Sequence, residues 1–334
     1  MQGHAGGSVS EQALERAYED AVRDTLSRFE ATGSPVITDG EQRKSSFATY
    51  PLEGLRNLAA DGVVIPFKDG HTRQLPRLAK GPFHYGKYAG EYVQRAKPYA
   101  KKPLKQAVIS ASALSLLYPA DGIAGYPREQ FIEDLVGEAT ADIVSAFTAG
   151  AETVQIDFTE GRLSLKLDPS GGLLKSFVEL NNQVVDRFSD AERARIGVHV
   201  CPGGDHDSTH SADVDYAGLL PTLFDLHVGR FYLQMASEAD RRRVLKLVSG
   251  LLGKGQKVFV GVIDPISARV ETADEVRDRV LEAATILPVE QLGTTDDCGF
   301  SPFADDDSTA RDVAFAKIRA RVEGTALAAA KLGL

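Results

Sequence analysis

The chain has 334 residues, is 43% hydrophobic and carries a formal net charge of −9. This charge argues against a general nucleic-acid-binding protein, because phosphate backbones are bound by clustered Lys and Arg. The one basic run, at residues 95–105, is typical of a solvated loop. No apolar run approaches the ~18 residues of a membrane helix, and no export signal opens the chain, so we expect a cytoplasmic protein that contacts no membrane.

The predicted elements alternate between helices and short strands. A helix is expected over residues 10–32, with Ser10 as its N-cap and Gly33 as a stop signal. Strands are predicted at residues 35–38, 106–111, 153–158, 196–201, 231–235, 257–263 and 291–295. Further helices are predicted near residues 128–149, 173–188, 216–226, 238–252, 272–287 and 308–332. Such alternation indicates parallel β/α units.

This order predicts an α/β fold, a (β/α)₈ TIM-type barrel forming a single domain over residues 1–334. Only seven strands can be counted, so the first strand is missing or atypical, unless the Gly-rich N-terminal segment replaces it. Residues 50–103 lack the β/α rhythm and predict a long loop excursion between strands 2 and 3; long ordered loops are usually functional. An open doubly wound sheet is the alternative, but no Gly-rich phosphate loop follows a first strand.

The chain has only two cysteines, Cys201 and Cys298. In a cytoplasmic protein they are core thiols, metal ligands or nucleophiles rather than a structural disulfide. His199 and Cys201 lie two residues apart at the end of a predicted strand and therefore face the same side. Cys298 follows the last strand, and the carboxyl ends of barrel strands form the active-site face. The pattern predicts a His/Cys/Cys zinc site with an open position; two unrelated core cysteines are the alternative.

Zinc suits a soft set of two thiolates and one imidazole, and it deprotonates a thiol that coordinates to it. Two protein thiolates nearly neutralise the ion, so a substrate bound as a zinc thiolate stays electron-rich enough to attack carbon. This logic favours thiol alkylation over water activation, which generally uses more nitrogen and oxygen ligands.

Several stretches together resemble the catalytic C-terminal barrel of the cobalamin-independent methionine synthase family. They are DGE at 39–41, VQID at 154–157, GVHVC at 197–201, FYLQM at 231–235, GVID at 261–264 and DDCG at 296–299. The resemblance extends over residues 35–330. It implies a barrel with Zn²⁺ at the strand ends and methyl transfer from a folate or carrier donor to the thiol of homocysteine.

The same resemblance implies roles for individual residues. Zinc ligands would be His199, Cys201 and Cys298, and Glu41 and Asp157 would hold the amino group of homocysteine. Capping or ion pairing is the other interpretation of the two carboxylates. The resemblance identifies no catalytic residue.

The chain departs from the family at four points. The family's glutamate zinc ligand is replaced by Gln234, which is either a weak ligand or an ordinary core residue. Residues 265–267 lack the family's proposed acid histidine, for which His206 and His210 are possible substitutes. A first-strand Gly-Ser motif is absent. Tryptophan and the family's homologous N-terminal half are also absent, so we expect polyglutamylated methyl-folate to be a poor free donor.

Other functions stay open at this point. Another thiol is possible, such as coenzyme M opening an epoxide, since Arg43 and Lys44 could bind its sulfonate. A related barrel that forms no methionine, or needs no metal, is also possible. Glu160 and Arg162 follow the 153–158 strand and are either substrate contacts or surface charges.

Overall fold

The computed structural model describes residues 9–334. Its strands are β1 (Leu58–Ala59), β2 (Val64–Pro66), β3 (Thr72–Gln74), β4 (Arg77–Leu78), β5 (Lys105–Ile109), β6 (Thr153–Asp157), β7 (Ile196–Val200), β8 (Gly204–Asp205), β9 (Ser208–Thr209), β10 (Arg230–Leu233), β11 (Lys257–Ile263) and β12 (Leu292–Asp296). Its α-helices are α1 (Glu11–Ala31), α2 (Gly90–Ala96), α3 (Ala111–Ser115), α4 (Arg128–Ala149), α5 (Glu160–Leu167), α6 (Gly172–Val185), α7 (Asp190–Arg193), α8 (Tyr216–Leu223), α9 (Arg241–Leu251), α10 (Ala273–Ala284) and α11 (Arg311–Leu332).

Six parallel strands form the central sheet in the order β12-β11-β10-β7-β6-β5. Neighbours in the sheet follow one another in the chain apart from the small β8–β9 hairpin. This single direction of winding is that of a β/α barrel, whereas a doubly wound sheet reverses at a switch point. The α/β fold is therefore confirmed, and the doubly wound alternative is wrong.

The predicted strand at 35–38 is reduced to one parallel bridge. Ile37 pairs with Leu104, and the amide of Lys105 donates to the Ile37 carbonyl at 2.9 Å. This segment extends the sheet beyond β5. Within residues 9–334 no further strand joins it to β12, so the barrel is not closed. The Gly-rich segment proposed to replace the first strand lies almost wholly outside the described residues.

Most predicted helices begin where their capping residues indicate. Ser10 accepts a hydrogen bond from the Ala13 amide at 3.2 Å at the start of α1. Thr272 forms a capping box with Glu275 at the start of α10. The predicted elements include none at residues 160–167, which form the helix α5 with buried side chains that include Leu163 and Ser164.

The excursion over residues 50–103 is more ordered than a loop. It contains two antiparallel strand pairs, β1–β4 and β2–β3, and the helix α2. It packs on α4, where the buried Asp142 accepts from the Tyr50 hydroxyl and, at 2.6 Å, from the Ala89 amide. Burial raises the pKa of Asp142 to about 6. The excursion is therefore fixed to α4 through specific polar contacts.

A single hydrophobic cluster includes residues of α1, of the excursion and of the central strands. This continuity agrees with one domain, which stays a prediction. None of the helices within residues 9–334 is both long and apolar enough to cross a bilayer.

Candidate functional site

Three potential metal ligands meet at the carboxyl ends of the strands. The ligand atoms of His199, Cys201 and Cys298 all lie within 4.8 Å of one another. The two cysteine sulfurs are 3.1 Å apart. His199 and Cys201 are buried, and Nε2 of His199 has no hydrogen-bond partner. An unpaired buried imidazole nitrogen beside two thiols is a donor set that fits zinc.

The two thiols have different acidities. Contact with Cys201 and with the His199 imidazole lowers the pKa of Cys298 well below its usual range. The pKa of Cys201 is raised well above its usual range, first by Cys298 and then by burial. Burial opposes the charge on His199, but its interaction with Cys298 outweighs this and raises the pKa of the imidazole. The two thiols are therefore shifted in opposite directions, and Cys298 is the more acidic of the pair.

Asp297, which sequence reasoning did not single out, holds the Cys298 loop in place. Its buried carboxylate accepts from the amides of Met235 at 2.8 Å, Ala236 at 2.7 Å and Ser237 at 2.9 Å. These amides follow β10, so Asp297 ties the ends of β10 and β12 together. In the sequence, Asp297 is visible only as the second acid of the Asp-Asp-Cys run. Its partners are backbone amides, so no pattern of side chains in the sequence identifies them.

The predicted amino-group site lies beside the predicted metal site. Asp157 is the register neighbour of His199, at the ends of β6 and β7. Burial raises the pKa of Asp157 to about 6, and the nearby Glu41 carboxylate adds to the shift. Glu41 and His199 therefore both lie close enough to Asp157 to interact with its charge.

Glu41 sits in a tight turn with φ of 54°, in the left-handed region. Lys44, on the same turn, donates to Glu41 at 2.6 Å and to the Ala107 carbonyl at 3.0 Å. Asp39 is also buried here, and its Oδ2 has no partner. The carboxylates of Asp39, Glu41 and Asp157 outnumber the two nearby lysines, Lys44 and Lys105, which suits a cationic ligand group.

Gln234 is buried at the end of β10 and already has partners. Its Oε1 accepts from Arg162 at 2.6 Å, and its Nε2 donates to the Ser237 hydroxyl at 2.6 Å. Arg162 is buried too, with its guanidinium over the Tyr216 ring at 4.4 Å and bonded to Glu238 at 3.1 Å. The interpretation of Arg162 as a surface charge is therefore wrong.

Glu160 is likewise buried rather than a surface charge. Its Oε1 accepts from the hydroxyls of Ser110, at 2.6 Å, and of Ser112. Its Oε2 has no partner, and burial raises the pKa of the carboxyl to about 7. Ser110 and Glu160 follow β5 and β6, so this group lies at the same end of the sheet as Asp157.

The two substitute histidines occupy different surroundings. His206 is partly exposed, with Nδ1 3.8 Å from Asp306. His210 is buried, and its Nδ1 lies 2.9 Å from the Ser211 hydroxyl. Burial lowers the pKa of His210 to about 4. An imidazole with that pKa is neutral at pH 7 and is therefore a poor proton donor. Lys317 donates to the carbonyls of Asp264, at 3.0 Å, and Arg269, at 2.5 Å, which lie on either side of residues 265–267.

Comparisons with known proteins agree with one another. The sequence model of the family described as "Cobalamin-independent synthase, Catalytic domain" matches residues 4–320. The chain is 22% identical to a methionine synthase from Saccharolobus islandicus (strain Y.G.57.14 / Yellowstone #1), over 96% of this chain and 87% of that protein.

Solved structures of similar fold include two bacterial proteins. One is a B12-independent methionine synthase from Shewanella sp. W3-18-1 in complex with selenomethionine, with a TM-score of 0.77, 19% identity and coverage of 98% of this chain and 92% of that one. The other is a putative vitamin-B12 independent methionine synthase from Listeria monocytogenes, with a TM-score of 0.71, 21% identity and coverage of 97% and 91%. Since the family model covers nearly the whole chain, this protein belongs to the family of cobalamin-independent synthase catalytic domains.

Proposed function

We propose that this protein is a zinc-dependent enzyme that methylates the thiol of homocysteine to give methionine. The observation that carries the proposal is the meeting of His199, Cys201 and Cys298 next to Asp157, at the carboxyl ends of adjacent strands. Family membership supports the reaction class, and the matched relatives bear the name methionine synthase.

His199, Cys201 and Cys298 would hold the zinc, and Gln234 would be its fourth ligand. When bound, the zinc supplies a Lewis acid that lowers the pKa of a substrate thiol. The unpaired Nε2 of His199 and the close pair of sulfurs support this assignment. A cytoplasmic setting is part of the proposal, because a reducing compartment keeps both cysteines available as ligands.

Glu41 and Asp157 would bind the ammonium group of homocysteine. Both already have one partner, Lys44 for Glu41 and Gln155 for Asp157, and each carboxylate has lone pairs left for an ammonium. Asp157 sits beside His199 in the sheet, so an amino acid held here presents its side chain toward the cysteines. Glu41 and Asp157 would thus orient homocysteine with its thiol toward the cysteines.

The methyl donor is proposed to be a folate or a carrier protein, with polyglutamylated methyl-folate a poor free donor. The net charge of −9 and the acidic surroundings of Glu41 disfavour a polyanionic tail near the site. The matched Saccharolobus protein is of similar length, because the match spans 87% of it. A chain of about this length is therefore compatible with the name methionine synthase.

A sulfonate thiol such as coenzyme M is the weaker candidate. The two cations that would bind it are occupied: Arg43 pairs with Glu15, and the buried Lys44 pairs with Glu41. A sulfonate would have to displace these carboxylates. The geometry therefore favours an amino-acid thiol.

The test is a methyl-transfer assay on purified, zinc-loaded protein with homocysteine and a panel of donors, with methionine detected by mass spectrometry. The panel holds methyl-folate with one and with several glutamates, and a methylated corrinoid protein. The proposal expects methionine with at least one donor and none after a chelator removes the metal. Chelator-resistant turnover, or methylation of coenzyme M in preference to homocysteine, would overturn it.

A further inference from the structure

The hairpin β2–β3 of the excursion reaches the two loops that carry the cysteines. The amide of Lys68 donates to the Thr209 carbonyl at 3.0 Å, and the amide of Asp69 donates to the Ser208 hydroxyl at 3.3 Å. Ser208 and Thr209 belong to the small β8–β9 hairpin that directly follows Cys201. The excursion is therefore docked next to the proposed metal site.

Arg73, in β3, bonds to both cysteine loops at once. Its Nε and Nη2 donate to the two carboxylate oxygens of Asp205, with Nη2 at 2.9 Å from Oδ1. Its Nη1 donates to Asp305 at 2.9 Å. Asp205 lies four residues beyond Cys201 and Asp305 seven beyond Cys298. One guanidinium thus joins segments that are about a hundred residues apart in the chain.

The contact between Arg73 and Asp205 is buried on the Asp205 side and is made by two hydrogen bonds. The Asp205 side chain is 0% exposed, and a second cation-forming group, His71, contacts it at 3.0 Å through Nε2. A two-pronged guanidinium–carboxylate contact fixes orientation as well as distance, which a lysine cannot do. Hydrogen bonding to Asp205 raises the pKa of Arg73, so the arginine stays charged.

Apolar contacts complete the arrangement on the Cys298 side. The Arg73 guanidinium lies over the Phe303 ring at 4.1 Å, and Phe303 packs edge-on against Phe47 at 5.5 Å. Ser46 and Phe303 also form an antiparallel bridge. The loop after Cys298 is thereby fixed both to the excursion and to the turn region that carries Glu41.

Asp205, His206 and Asp306 also lie close enough together to suggest a second metal site. Their acceptor atoms are in use, however. Asp205 is bound by Arg73 on both oxygens, and Asp306 accepts from the amides of His206 at 3.2 Å and Ser308 at 3.0 Å. The positive charge of Arg73 also opposes a cation here. This cluster therefore serves as a link between segments.

We infer that Arg73 is a positioning residue, which sets the separation of Cys201 and Cys298 by holding their loops through Asp205 and Asp305. This role rests on the proposed function, since the two cysteines are proposed ligands. The 3.1 Å separation of the two sulfurs then depends on the excursion as well as on the strands. Loss of Arg73 should let the two loops move apart and weaken zinc binding.

The test compares Arg73→Ala, Arg73→Lys and Asp305→Ala with the matched control Arg77→Ala. Arg77 lies in the same excursion and makes a two-pronged pair with the exposed Asp61. We expect Arg73→Ala to weaken zinc binding, measured by chelator competition, by tenfold or more. Asp305→Ala, which removes only an exposed partner, should give a smaller loss, and Arg73→Lys a partial rescue. Arg77→Ala should bind zinc as the unchanged protein does.

A second readout does not depend on zinc. In metal-free protein, diamide takes two electrons and two protons from Cys201 and Cys298 and leaves a disulfide. We expect this intramolecular step to be at least threefold slower in Arg73→Ala than in Arg77→Ala. A hairpin that only stabilised the fold would lower the Tm and leave both readouts unchanged, and that result would overturn the inference. If the unchanged protein binds no zinc, the proposed function fails, and the disulfide rate still decides the role of Arg73.

Discussion

Asp157 and His199 are direct neighbours in the parallel register of β6 and β7, near the carboxyl ends of both strands. One is a carboxylate proposed to bind an ammonium group, and the other an imidazole proposed to bind zinc. Homocysteine carries its amine and its thiol on the same short carbon chain. The sheet therefore presents both recognition groups to one small substrate.

Replacing Glu41 by Gln should selectively weaken binding of amino-acid thiols. Charge-assisted hydrogen bonds contribute about 1.5–3 kcal/mol, so we expect the KM for homocysteine to rise about tenfold or more. The comparison substrate is 4-mercaptobutyrate, which keeps the carboxylate and thiol and lacks the amine. Its KM should change little. Equal effects on both thiols would show that Glu41 serves the fold through Lys44.

Replacing Gln234 by Glu should raise zinc affinity, because a carboxylate is a charged ligand and an amide is a neutral one. The expected gain is about tenfold by chelator competition. Arg162 donates to Gln234 in the structure, so the new carboxylate also gains an ion pair. An unchanged zinc affinity together with a higher Tm would mean that the side chain at position 234 serves Arg162 and not the metal.

The buried Glu160 should make stability depend on pH. Its folded-state pKa of about 7 is raised above the ordinary value of 4.5 by burial. The contribution of Glu160 to the free energy of unfolding is therefore fully present below pH 4.5 and is lost as the pH rises through 7. Converted to free energy the whole effect is ~3 kcal/mol.

Glu160→Gln removes this titration and keeps an oxygen for the Ser110 and Ser112 hydroxyls. We expect the free energy of unfolding to fall less between pH 5 and 7.5 in this variant than in the unchanged protein. Denaturant titrations across that range measure it, with Glu179→Gln on the exposed face of α6 as the control. Parallel pH profiles for all three proteins would contradict the assigned ionisation.

Extending the glutamate tail of methyl-folate should not improve turnover. The acidic surroundings of Glu41, with Asp39 and Asp157 close by, repel added carboxylates. We expect kcat/KM with the triglutamate donor to equal or fall below that with the monoglutamate at low salt. A rise of tenfold or more with tail length would point to a basic donor site, for which residues 95–105 are the nearest candidate in the sequence.

Much of the fold follows from local patterns. The helix α4 spans the predicted residues, because its apolar positions recur at helical spacing and the left-handed Gly150 ends it. The helix α5 was missed, because Leu163, Leu165 and Leu167 alternate as in a strand. Tertiary burial of Arg162 and Ser164 overrides that alternation. The segment at Ile37 lies at the edge of the sheet and pairs with it through a single bridge.

The site was predictable where chemistry coincides with a strand end. His199, Cys201 and Cys298 were found in this way, and the structure brings them together. Asp297 and Arg73 were not predictable, because their partners are backbone amides or acids far along the chain. The excursion has no periodicity that could have placed β3 next to the cysteine loops.

The zinc content of the purified protein and of two cysteine variants, measured by elemental analysis, tests the proposed metal site most directly. We predict about one zinc per chain, and loss of most of it in Cys201→Ser and in Cys298→Ser while the circular dichroism spectrum is retained. Asp157→Asn, altered beside His199 but not at a proposed ligand, should keep its zinc. Full zinc retention in both cysteine variants would contradict the proposed zinc site.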